Sequence, residues 1–340
     1  MEPKTFAFIL HSGSVEELKK SYPLFRMVPD FILKRSFRAI APFKVSQLKN
    51  VRSIRGKEVR GFFIDCPLLV EEGQAMEERL VLGKIFSAAA LAKKMGAQIL
   101  GTDGCAALLK DNREAFARHI YLPFTDGGAL TAWSVFEAVY RAAKAKGVDL
   151  KRASVAVIEA TDPLGNLCAR KLSESARKII LSGKDSRKLS LLKDTLANLY
   201  PAEVVIEEMK LRAIREADIA IITGSASGFI MDIDNPGAGK IICYVSLSAP
   251  AADKLKSWEG ITAVEAGLMK LPNPTDLQLS TGLSKDVVST ALAETMLLAL
   301  EERFMNYSCG ENINIDKLEE IADIAAKHGF EVWVPEAPVL

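Results

Sequence analysis

Apolar residues through the middle of the chain come in short continuous runs separated by amphipathic stretches, the pattern of strands covered on both faces alternating with helices. Val155–Ile158, Lys178–Leu181, Glu203–Ile206, Asp218–Ile222, Ile241–Val245 and Ile261–Val264 are predicted as successive strands. Helices over Asn166–Ala176, Arg187–Leu199 and Leu211–Ala217 fill the gaps between them. Strands joined this way run parallel, so the fold class is α/β: a doubly wound, Rossmann-type sheet.

Upstream, Thr5–Leu10 reads as a strand, and Ser14-Val-Glu-Glu17 is a capping box that opens a short helix. After breaks at Pro23 and Pro29, Phe31–Ile40 carries apolar residues at helical spacing. Lys44–Ser53 and Glu58–Leu69 are predicted as two strands joined by a turn at Arg55-Gly56. Met76, Leu80, Ile85, Ala88, Leu91 and Met95 mark a long helix over Ala75–Met95, closed by Gly96. A strand at Gln98–Leu100, a polar helix containing Asn112–Arg118 and an amphipathic helix over Leu130–Lys146 follow. Two late helices, Lys285–Arg303 and Asp316–His328, return to the first part of the chain. The expected division is a second α/β domain from 1–130 plus 285–340, and a nucleotide-binding type domain from 131–284.

Length agrees with two domains, since 340 residues exceed what one core usually supports. Lys+Arg 44 against Asp+Glu 43 leaves no charge bias towards nucleic acid or an acidic surface. No run reaches the ~20 apolar residues that span a bilayer, and the start has no cleavage-type pattern, so the expected location is cytoplasmic. Cys66, Cys105, Cys168, Cys243 and Cys309 are odd in number and never form a Cys-x-x-Cys pair, which argues against a disulfide framework or thiolate zinc. His11, His119 and His328 are not spaced for a metal. A homo-oligomer is left open.

The first strand of the Rossmann-type region runs into Glu159-Ala-Thr-Asp-Pro-Leu-Gly165. In a dinucleotide turn, glycines here let backbone N–H groups approach a diphosphate at the start of the next helix. The glycine positions are Glu159, Asp162 and Gly165, and only the last is kept. Asp162-Pro163 reads as an N-cap with proline at N1, which predicts that the Asp162 carboxylate itself covers the helix amides. A carboxylate 4 Å from a phosphate charge would oppose it by about 1 kcal/mol in water and about 4 kcal/mol at an effective dielectric near 20. Ser182, Lys184 and Arg187, with Lys188, follow the second strand where an acidic ribose ligand is usual, and favour NADP over NAD. Thr161 in the turn, and Thr223 and Ser225 after the fourth strand, complete the candidate cofactor residues at the strands' carboxyl ends.

Leu292-Ala-Glu-Thr-Met-Leu-Leu-Ala-Leu300, Asn306-Tyr-Ser-Cys-Gly-Glu-Asn312 and Lys327-His-Gly-Phe330 resemble segments of long-chain acyl-[acyl-carrier-protein] reductases. Arg60-Gly61, the helix around Lys84, Leu100-Gly101, Thr131-Ala132 and Val155–Ile158 fall in that family's order, so the resemblance covers most of the chain. It implies a two-domain protein in which NADPH reduces a fatty acyl thioester, carried on a small molecule or acyl carrier, to an aldehyde. A cysteine takes the acyl group, a role that suits a thiolate. The position matched to that cysteine, just upstream of the late helix's Ala-Glu pair, is Ala291. A second family cysteine is matched by Pro272, and a family Asn and His by Gly128 and Leu130. Cys105, after Gly101-Thr-Asp-Gly104, is the other cysteine in a loop predicted to face the cleft, and is either a nucleophile or an inert buried thiol.

Thr125-Asp126-Gly127 is similar to the Thr-Asp-Gly motif of shikimate and quinate dehydrogenases. That resemblance implies that Asp126 and a first-domain lysine, for which Lys84 is the candidate, bind a substrate hydroxyl and move its proton. Asp-Gly is also a common turn pair. Three readings stand: an NADP-dependent acyl thioester reductase, a dehydrogenase of a small hydroxy acid, and a non-catalytic ligand-binding or regulatory protein.

Overall fold

Buried apolar runs build two main sheets, one in each of two units of the chain, and a third, three-stranded sheet completes those among the described residues. Unit one takes Met1–Gly128, Lys270–Asn312 and Asp323–Glu331; unit two takes Ala129–Met269, Ile313–Ala322 and Val332–Leu340. The computed structural model describes residues 3–11, 15, 19, 23–68, 78–102, 120–223, 226–275, 283–309 and 313–335. Ser14, Glu17 and the polar helix around Asn112–Arg118 therefore lie outside the described residues.

Unit one begins with β1 (Lys4–Leu10), α1 (Asp30–Ala39), β2 (Phe43–Arg52), β3 (Glu58–Asp65), α2 (Glu78–Lys94), β4 (Ile99–Thr102) and β5 (Phe124–Thr125). The sheet order is β2-β3-β1-β4-β5, with β2 antiparallel to β3 and the rest parallel. Asp65, Thr102 and Thr125 consequently end their strands along one carboxyl edge. Ala7, Ile9, Ile64, Ile85, Ala88 and Leu100 form the packed interior under α2. Gly101 is fixed by crowding, since a Cβ there would stand 1.9 Å from Thr295 Oγ1.

Unit two contains α3 (Gly128–Ala145, from its second residue), β6 (Ser154–Ile158), α4 (Pro163–Ser173), β7 (Lys178–Ser182), α5 (Ser186–Leu199), β8 (Glu203–Ile206), α6 (Lys210–Glu216), β9 (Ile219–Thr223), α7 (Ser227–Asp232), β10 (Lys240–Val245), α8 (Ala249–Lys256) and β11 (Ile261–Glu265). The parallel sheet runs β11-β10-β9-β6-β7-β8, the doubly wound order with its switch point between β6 and β9. Alternation along β6 sends Val155 and Val157 to one core and Ala156 and Ile158 to the other. The α/β, Rossmann-type expectation is met.

Differences from the expected elements have local causes. α4 starts at Pro163 rather than Asn166, because proline at N1 presets the first helical φ. The short helices α7 and α8 were not expected. Beyond β12 (Leu268–Lys270), the late helix expected over Lys285–Arg303 is instead a strand, β13 (Val287–Ser289), followed by α9 (Thr290–Leu300). β-branched Val287 and Val288 favour the extended form, and Ser289 caps α9 by accepting the Leu292 N–H at 3.3 Å. Every residue of α9 is buried, so it carries no polar face. α10 (Ile315–His328) follows. No helix among the described residues is long and apolar enough to cross a membrane.

Candidate functional site

Glu159 leaves β6 at φ 58, the left-handed region that glycine fills at no steric cost. The strand exit thus keeps a glycine's conformation without the glycine. The Glu159 carboxylate pairs with the ammonium of Lys210, the first residue of α6, and the two side chains are 5% and 17% exposed. The same ammonium lies 5.5 Å from the centroid of the Phe229 ring. Gly165 retains the packing role of the last glycine, because a Cβ there would stand 2.4 Å from the Glu159 carbonyl oxygen.

Asp162 occupies the N-cap position of α4, and its backbone carbonyl accepts the Asn166 N–H at 2.8 Å. Its carboxylate makes no capping hydrogen bond, so the expectation that Asp162 covers the helix amides is corrected. Pro163 starts the helix unaided, and the acidic side chain that fills the loop is Glu159. Nothing local in the sequence pointed to Lys210 as its partner.

The second strand's end meets this loop. Ala160 N–H donates to the Ser182 carbonyl at 2.9 Å, and a Cβ on Gly183 would lie 3.3 Å from Thr161 Oγ1. Ser182 is fully buried, and its hydroxyl finds no hydrogen-bond partner among the described residues. Lys184 and Arg187 are exposed, while Asp185 caps α5 by accepting the Lys188 N–H at 2.9 Å. Thr223 is buried at the end of β9, next to β6 in the sheet; Ser225 lies outside the described residues.

In unit one, α2 buries Lys84, whose ammonium donates to the carbonyls of Pro67 at 2.7 Å and Ile40 at 3.0 Å. Burial pulls its pKa below the usual lysine value, against the opposing influence of Cys66 and Asp65. Such a lysine is suited to acid–base work. Asp126, half-buried after β5, accepts the Gly128 N–H on Oδ1 at 3.0 Å, and Gly127 has φ 79. Lys84 and Asp126 are thus held by different partners at the carboxyl edge of one sheet. Cys105 lies outside the described residues.

Thr125 ties the Thr-Asp-Gly turn to α9. Its hydroxyl donates to the buried Glu294 carboxylate and accepts the N–H groups of Gly127 and Ser308, each at 3.3 Å. Gly127 presses on Ala291: an added Cβ would stand 2.3 Å from the Ala291 Cα. The position that the family resemblance gives to the nucleophile therefore abuts this turn and carries only a methyl. Cys66, Cys168, Cys243 and Cys309 are all buried, and burial pushes the Cys168 thiol up to about 12. Among the described residues no group of His, Cys, Asp and Glu could hold a metal ion. A cavity of about 520 Å³ along α2, lined by apolar groups with Lys93 and Lys94, contains none of the candidate residues.

No family model matches the chain. It is 27% identical over 315 residues to the long-chain acyl-[acyl-carrier-protein] reductase of Synechococcus elongatus, covering 87% of this chain and 89% of that protein. It is 23% identical over 289 residues to the aminotransferase PigE of a Serratia strain, covering 84% of this chain but 34% of that longer protein. Among solved structures, a chorismate mutase/shikimate 5-dehydrogenase fusion protein from Clostridium acetobutylicum aligns with TM-score 0.41 and 11% identity, covering 97% of this chain and 99% of that one. The chain is a distant homologue of the long-chain acyl-[acyl-carrier-protein] reductases.

Proposed function

We propose that this protein is an NADP-type oxidoreductase that works on a carbonyl or hydroxyl group without a covalent enzyme intermediate. The observation that carries the reading is Lys84: a buried ammonium fixed on two carbonyls, with its pKa lowered, at the sheet edge that also bears Asp126. Ala291 puts a methyl where the relatives' thiol would stand, and the cysteines among the described residues are buried, which favours a route with no acyl-enzyme. Lys84 moves the proton of the substrate's oxygen, and Asp126 positions that oxygen.

The residues of unit two fit one end of the cofactor. Thr161 and the unpartnered hydroxyl of Ser182 suit a ribose, and Lys184 with Arg187 suit a 2′-phosphate. NADPH held by these residues would supply the hydride. The diphosphate loop fits less well, because Glu159 already holds Lys210.

A second reading, reduction of an acyl thioester to an aldehyde, is favoured by homology over 87% of the chain. Assays of NADPH oxidation with aldehydes, oxo acids and acyl thioesters, and of the reverse reaction with hydroxy acids, separate the two. Turnover of a carbonyl substrate that falls by about 10²–10⁴-fold in Lys84→Met is the expected result. The ascending limb of the oxidation rate should lie below the ordinary lysine value of 10.5. Full activity in Lys84→Met would sink the reading, and no turnover of any substrate would favour a non-catalytic binding protein.

A further inference from the structure

We propose that Glu159 is a built-in competitor for the diphosphate site of unit two, and that Lys210 is an exchangeable phosphate-binding cation which Glu159 holds until an anion replaces it. The inference rests on the reading that this unit takes an NADP-type dinucleotide.

Three observations meet at this loop. Glu159 sits at φ 58, strained for any side chain with a Cβ, yet its carboxylate is drawn inward to Lys210 instead of turning to solvent. Strain of this kind persists where the surrounding contacts compensate for it, and the ion pair with Lys210 is that contact. The pair stands at the switch point between β6 and β9, where an open α/β sheet receives its ligand. Beside it is a group the adjoining ribose would use: Ser182 has a fully buried hydroxyl with no partner among the described residues, and its carbonyl holds the loop through the Ala160 N–H. The Asp162 carboxylate leaves the first turn of α4 without a side-chain cap.

A carboxylate in the place of a glycine would normally exclude a diphosphate by repulsion. Here it also keeps a cation in position. An incoming phosphate oxygen can take over Lys210, and the freed Glu159 carboxylate must then move away or be neutralised. Affinity is therefore set by the exchange, and removing the carboxylate charge while keeping its shape should raise it.

The test is calorimetric titration of 2′-phospho-ADP-ribose into the full chain, its Glu159→Gln and Glu159→Gly variants, and Lys210→Met and Glu159→Gln/Lys210→Met. Glycine suits φ 58, so the second variant guards against misfolding of the first. At least tenfold tighter binding in both Glu159 variants, with the gain abolished when Lys210 is also replaced, is expected. Equal affinity in the unaltered protein and both Glu159 variants would overturn the proposal, as would a gain that survives loss of Lys210. Absence of binding in every variant would overturn both the proposal and the dinucleotide reading. Tight binding by the Glu159 variants without NADPH turnover would leave the exchange standing and sink the catalytic function alone.

Discussion

Deleting the cation of the Glu159–Lys210 pair gives the clearest stability prediction. Lys210→Met leaves the Glu159 carboxylate, 5% exposed, with no counter-charge. Breaking a buried pair by removing one partner costs about 3–5 kcal/mol. Glu159→Gly acts differently, because it removes the charge and also releases about 1–2 kcal/mol of left-handed strain. Lys210, 17% exposed, can then carry its ammonium to water along its apolar stem. The net cost should be within about 1 kcal/mol, and the double variant should lie within about 2 kcal/mol of the unaltered protein. The coupling between the two positions is then roughly 2–4 kcal/mol. For a unit of this size each kcal/mol moves Tm by roughly 2–4 °C, so Lys210→Met alone should melt roughly 6–20 °C lower. Trp133, Trp258 and Trp333 all belong to unit two, so tryptophan fluorescence in urea reads the affected unit directly. A Lys210→Met loss below about 1 kcal/mol, or additive single losses, would refute the picture of a dry, mutually dependent pair.

Acid should weaken unit one through Glu301 and His328. The Glu301 carboxylate is hydrogen-bonded by His328 Nε2 at 2.6 Å and by Lys327 Nζ at 2.7 Å, while His328 Nδ1 faces Ser53 Oγ at 2.7 Å. Burial pushes the Glu301 pKa up, but these hydrogen bonds outweigh it and hold it at about 2, against an ordinary 4.5. Its contribution, at most about 3 kcal/mol, is present above pH 4.5 and lost as pH falls towards 2. Burial lowers the His328 pKa, so the neutral ring's contribution starts to be lost once pH drops below the ordinary 6.5. Denaturation midpoints measured from pH 7 to pH 3 should fall, and in Glu301→Gln the segment below pH 4.5 should flatten; an unchanged slope there would contradict this. Gly127→Ala should cost roughly 2–5 kcal/mol, since φ 79 strains any Cβ and the new methyl meets Ala291 backbone at 2.3 Å. Urea midpoints decide it, and an unshifted one would show that the Thr-Asp-Gly turn can move off α9.

Unit two was largely legible in the sequence because strands buried on both faces leave continuous apolar runs, and β6 to β11 all appear as such. Gly165 was legible as well, since close approach of α4 to the strand exit admits no side chain. What the sequence hid were contacts between distant positions. Glu159 and Lys210 are 51 residues apart, and neither carries a local mark of its partner. Thr125 and Glu294 are 169 apart and meet only because β5 packs beside α9. The misread of Asp162 has a different origin: Asp-Pro is a sound capping signal, but proline at N1 starts the helix without needing the side chain. The strand at Val287–Ser289 was absorbed into a helix because the fully buried α9 extends the same apolar run.

Incubation of the protein with NADPH and a long-chain acyl thioester, followed by intact mass spectrometry beside NADPH consumption with an aldehyde or oxo acid, tests the central claim most directly. No acyl adduct on the chain is expected, and carbonyl-dependent NADPH oxidation should disappear in Lys84→Met. An acyl-enzyme of the mass expected for one thioester would contradict it, because the protein would then contain the nucleophile that Ala291 denies to the late helix.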